Sequence, residues 1–153
     1  MKILSLVSFL SISFLTIGCA SLTSTPTVRT SCPFEKAWSV SLASVNEFEL
    51  RRIDHNKGII ETEWIAFDSK NKSGFLTFQR DVNVERARFF LNISQHPNAT
   101  EISIQQAREY FSPMGVQSQS TKWRRIPPIS EEEQRLAQRI STKLKATGCT
   151  IQS

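Results

Sequence analysis

Val84-Glu85-Arg86-Ala87-Arg88-Phe89-Phe90-Leu91-Asn92-Ile93-Ser94 decides the fold. Ala87, Phe89, Leu91 and Ile93 alternate with Arg86, Arg88 and Asn92. A period of two places the apolar set on one face of a strand and the polar set on the other. Gln95-His96-Pro97-Asn98 predicts a turn, after which residues 100–108 alternate again around Ile102 and Ile104. Upstream, Ile60, Thr62, Trp64 and Ala66 are expected on one face of a strand over 59–67, with Glu61 and Glu63 on the other. His55-Asn56-Lys57-Gly58 reads as the turn joining it to residues 48–54, where Phe48 and Leu50 alternate with charged neighbours. A polar loop and a short β-like run at 75–79 complete this half.

The period changes to three and four at both ends of this β-rich region. Phe34, Ala37, Trp38, Ser41, Leu42 and Val45 form one face of a helix expected to start near Ser31 as N-cap, with Pro33 in its first turn and Trp38 as a core residue. Leu136, Ala137, Ile140 and Leu144 stripe a second helix. Ser130 and Glu133 have capping-box spacing, residues 131–133 are acidic, Lys143 and Lys145 lie in the last turn, and Gly148 is a natural terminator. The expected fold is α+β: a single antiparallel β-sheet of four to five strands, flanked by an N-terminal and a C-terminal helix that cover its apolar face.

The start of the chain has another character. Lys2 precedes an apolar run from Ile3 to Ile17, diluted by Ser and Thr, and Gly18-Cys19 closes it. That is the layout of an export signal. The run is too short for a comfortable membrane-spanning helix, which needs about 20 residues. Thr16-Ile17-Gly18-Cys19 resembles a bacterial lipoprotein signal, with Thr16 where Leu is usual. The resemblance implies cleavage before Cys19 and acylation of its thiol, and Ala20 in the following place implies the outer membrane. An ordinary cleaved signal is the alternative. The expected division is 1–18 signal peptide, 19–31 lipidated Cys19 and Ser/Thr-rich tether, 32–149 one domain, and 150–153 tail.

Without residues 1–18 about 135 residues remain, enough for one domain. The formal charge falls from +5 to +4 as Lys2 leaves. Both signs are mixed along the chain, so nucleic-acid binding is a poor reading, while an anionic lipid surface or an acidic partner fits. Beyond Cys19 the cysteines are Cys32 and Cys149. In an oxidising compartment they form a plausible disulfide that closes a loop of over 100 residues, two separate thiols being the alternative.

Several segments together resemble the BamC-type lipoproteins of the outer-membrane β-barrel assembly machinery and their helix-grip domain. They are Ala37-Trp38, residues 58–64, Arg86-Ala87-Arg88-Phe89, Thr100-Glu101-Ile102-Ser103-Ile104, and Trp123 before a terminal helix. The likeness spans about residues 33–147. It departs from the family in offering room for one such domain and only a short tether. It implies membrane attachment through N-terminal acyl chains, a protein partner in the cell envelope, and a periplasmic face.

Chemistry-bearing motifs are scarce. His55 and His96 both lie in expected turns, and no hydrolase, Walker, Rossmann or zinc-protease pattern occurs. No enzymatic activity, cofactor or metal is expected. Glu61 and Glu63 read as a solvated face, and Arg86 and Arg88 as an outward pair meeting carboxylates such as Glu101 or Glu63 across the sheet. The expected partner-binding cluster is Phe111, Met114, Lys122, Trp123, Arg124 and Arg125, on and beside a loop at 110–120, since Trp and Arg dominate interface hot spots. The alternative is that Trp123 closes the core with the cations around it. Two functions stay open. One is a non-enzymatic docking module of an envelope complex, BamC-like in barrel assembly. The other is a lipoprotein carrying a small apolar ligand between sheet and helix, a space that Trp38, Trp64, Phe89 and Leu91 are expected to fill.

Overall fold

The computed structural model describes residues 25–68, 84–112 and 122–152. In chain order these form β1 Thr27–Thr30, α1 Phe34–Ser44, β2 Leu50–Asp54, β3 Ile59–Thr62, β4 Ile65–Asp68, β5 Val84–His96, β6 Ala99–Ser112, β7 Lys122–Ile126, α2 Ser130–Ala146 and β8 Ile151–Gln152. One sheet runs in the order β2-β3-β5-β6-β1-β8, with β4 also on β5 and β7 also on β6. Every described pair is antiparallel. The sheet has eight strands, which corrects the expectation of four to five. The α+β class is compatible with this sheet and its two helices.

The extra strands have identifiable causes. Residues 27–30, expected within the tether, form β1 because Val28 and Thr30 bury themselves beside Ile102 and Thr100 of β6. Ile151 and Gln152, expected in the tail, pair with Thr30 and Arg29. Residues 59–67 do not form one strand. Four steps from Glu61 to Ile65 oppose three from Phe90 to Ala87 on β5, so the chain carries one extra residue at Glu63-Trp64. An extra residue reverses the alternation. Ile60 and Thr62 stay on the face of Leu91 while Trp64 and Ala66 move to the other. The expected run at 75–79 lies outside the described residues.

Both helices pack on the apolar face. Ala37, Trp38, Val40 and Val45 from the first, and Leu136, Ile140 and Leu144 from the second, close over Ile60, Phe89, Leu91, Ile93, Ile102 and Ile104. At about 25 cal/mol per Å² of apolar surface, this core is the main favourable term. The helices start differently from expectation. Ser31 is taken by Thr150, through Ser31 N to Thr150 O at 3.0 Å and Thr150 N to Ser31 Oγ at 3.1 Å. The N-cap of α1 is therefore Pro33, and Gln95 Oε1 accepts the Phe34 N–H at 2.9 Å. In α2 the N-cap is Ile129, and Gln106 Oε1 accepts its N–H at 2.8 Å. Glu133 does not close a capping box; it accepts the Gln106 N–H at 2.7 Å. Glutamines of the β5–β6 hairpin thus supply an acceptor at both helix starts. Gly148, at φ 85, ends α2 as expected.

Candidate functional site

The face of the sheet away from the helices carries aromatic rings interleaved with arginines. Trp64 arrives there through the extra residue before β4. Arg86, Arg88 and Phe90 alternate along β5, Glu109 and Phe111 along β6, and Trp123 and Arg125 along β7. The Arg86 guanidinium lies between two indoles, 4.4 Å from the Trp64 ring centre and 4.0 Å from that of Trp123. The Arg88 guanidinium lies 4.5 Å from the Trp64 ring centre and 4.7 Å from that of Phe90. Phe111 meets Trp123 edge to face at 5.2 Å. Each exposed cation–π contact contributes about 0.5–1 kcal/mol, more when desolvated.

Carboxylates lock the ladder. Glu109 Oε2 accepts from Arg86 Nε at 2.8 Å, and Glu61 Oε1 accepts from Arg88 at 2.5 Å. Arg51 approaches the same Glu61 oxygen at 3.5 Å. Glu61 is buried beneath these cations, not part of a solvated face as expected. Nor are Glu101 and Glu63 the partners of Arg86 and Arg88: Glu101 holds Arg29 instead. Both ladder arginines are largely covered, with side chains 25% and 18% exposed. Rings and guanidinium planes shield one another where no third layer covers them among the described residues, so this face is ordered before any partner arrives.

The structure divides the expected binding cluster. β6 runs to Ser112, so Phe111 belongs to a strand and not to a loop. It joins Trp123 on the open face, where Arg125 stands opposite Glu109. Arg124, opposite Tyr110, falls on the other side of β7 by register, and Lys122 opens that strand opposite Ser112. Arg124 and Arg125 are exposed. Cys19 and Met114 lie outside the described residues. Trp64, Arg86, Arg88, Phe90 and Glu109 are the site residues that sequence reasoning did not place in it. The adjacent Arg86-Ala87-Arg88 alternation was their one visible signal.

Cys32 and Cys149 are bonded, with Cα atoms 5.4 Å apart, and join the entrance of α1 to the exit of α2. On the helix side, a cleft of about 240 Å³ opens between β4, β5 and α2, lined by Phe48, Ile65, Phe67, Ala87, Phe89 and Leu136. Arg135 and Arg139 stand at its rim. Of the residues expected to fill the space between sheet and helix, Trp38, Phe89 and Leu91 are buried there, whereas Trp64 lies on the opposite face. Among the described residues no group of His, Cys, Asp and Glu is arranged to hold a metal ion, and no helix is long and apolar enough to cross a membrane. No family model and no curated protein matches the chain.

Proposed function

We propose that this protein is a non-enzymatic lipoprotein, held by acyl chains on Cys19 at the periplasmic face of the outer membrane, that docks an envelope protein on its open sheet face. The observation that carries the reading is the preordered ladder of Phe111, Trp123, Arg86, Trp64, Arg88 and Phe90. Aromatic residues and arginine are the types enriched at interface cores, and a face already fixed loses little side-chain entropy on binding. On that face, Arg125 at its edge aside, Arg29, Arg51, Arg52, Arg86 and Arg88 are matched in number by Asp54, Glu61, Asp68, Glu101 and Glu109, so a partner meets rings and paired charges more than a net charge. The resemblance to BamC-type lipoproteins makes barrel assembly the first process in which to seek that partner.

A second reading rests on the cleft between β4, β5 and α2. Its floor is apolar and its size suits one small apolar group, although it falls below the usual 300 Å³ or more of ligand pockets. Intact mass measurement on membrane-extracted protein addresses both readings. Under denaturing conditions the chain should start at Cys19 and carry acyl chains; an unmodified mass contradicts the anchor. Under native conditions docking alone expects no further small molecule, whereas a stoichiometric apolar adduct lost on filling the cleft by Ala87→Leu supports the carrier.

A further inference from the structure

β1 and β7 share one edge of β6, and residues 30 back to 26 run along that edge toward the end where β7 pairs. β1 runs antiparallel to β6, with Thr30 beside Thr100 and Thr27 beside Ser103. Pro26 continues that path, its carbonyl accepting the Ile104 N–H at 3.0 Å. Read backward, the chain therefore heads along β6 toward residues 108–112, where β7 pairs. Cys19 precedes Pro26 by seven residues. Even fully extended, seven residues reach about 25 Å. The β6 positions opposite Arg125, Arg124 and Lys122 lie five to eight residues beyond Ile104, about 17–27 Å along the strand. An acylated Cys19 therefore holds Pro26 within about 25 Å of the bilayer, and Pro26 lies on the edge of β6 that β7 shares.

The charge on β7 is of a different kind from that elsewhere on the sheet. Arg29, Arg52, Arg86, Arg88 and Arg108 each hold a carboxylate. Arg124 and Arg125 are exposed and form no ion pair among the described residues. Arg125 faces Glu109, but that carboxylate is already engaged by Arg86. We infer that β7, through Arg124 and Arg125, is the rim that rests on the membrane, against anionic lipid headgroups. The inference rests on Cys19 being the acylated residue and adds an orientation to the proposed function: the β7 edge with Arg124 and Arg125 toward lipid, the rings and paired arginines of the open face toward the protein partner. Cations held within a Debye length of an anionic leaflet are attracted, and the attraction weakens with salt.

Hydrogen–deuterium exchange of the acylated full mature chain tests this on vesicles of phosphatidylcholine alone and on vesicles containing phosphatidylglycerol. Amides at 122–126 should exchange severalfold more slowly on the anionic vesicles. That difference should vanish at high salt and in the Arg124→Glu, Arg125→Glu variant, with β5 and core β6 exchange unchanged as the sign of an intact fold. Equal β7 exchange on both vesicles, or slowing confined to other strands, overturns the inference while leaving the anchor standing. A denatured mass without acyl chains on Cys19 removes the anchor, and the inference with it.

Discussion

Gly58→Ala should destabilise the domain by about 3 kcal/mol or more, lowering its melting temperature by about 10 °C. Two costs combine. Gly58 has φ 65, which strains any residue with a Cβ. A Cβ there would stand 1.9 Å from the carbonyl oxygen of Ile93. That contact is with backbone, so no side chain can swing away. The same Gly58 carbonyl accepts the Ile93 N–H at 2.7 Å, holding the turn between β2 and β3 against the middle of β5. The hairpin must lift off β5 to make room, and Ile60 and Ile93, both buried, lose packing with it. A thermal melt within 2 °C of the parent would show that the turn is not seated this way.

Reducing the Cys32–Cys149 bond, or changing both residues to Ser, should cost about 4–5 kcal/mol by the loop-entropy argument, since 117 residues separate the two. The bond joins the ends of the domain covalently, beside hydrogen bonds between residues 30–31 and Thr150. Thr100 Oγ1 donates to the Cys32 carbonyl at 2.7 Å, Thr30 Oγ1 donates to Thr150 O at 3.1 Å, and β8 contributes two residues of pairing. Without the bond β8 and the β1–α1 junction should open first. Paired melts with and without reductant should differ by more than 10 °C for a chain of this size. Matching melts, or two free thiols by mass under non-reducing conditions, contradict the bond's role.

What could be read in the sequence was the periodic part. The alternation around Ala87, Phe89, Leu91 and Ile93 and the stripe of Leu136, Ile140 and Leu144 identify elements whose buried faces are the observed ones. Register was not legible. Spreading the turn over residues 95–98 pairs Ser94 with Ala99. The observed two-residue turn pairs His96 with Ala99. This slides β6 by two residues, which keeps the faces but exchanges the partners. Arg86 therefore meets Glu109, where the wider turn would set it against Ala107. The position of Trp64 was hidden for a related reason. One extra residue reverses a strand's faces, and Glu63-Trp64 carries no glycine to signal it. β1, β7 and β8 are short and polar. β1 and β7 are strands because β6 receives them, and β8 because β1 does, a long-range fact absent from their own composition.

The proposal that the open face docks a protein while the helices face away is tested most directly by site-specific photocrosslinking in intact cells. Ala66 and Gln105 are exposed and flank the ladder on the open face, and Gln138 is exposed on α2. With the acylated protein in its membrane, a crosslinker at Ala66 or Gln105 should capture one envelope protein in discrete yield, and the same group at Gln138 should capture none. Capture from Gln138 alone, or silence from both open-face positions, would contradict the account.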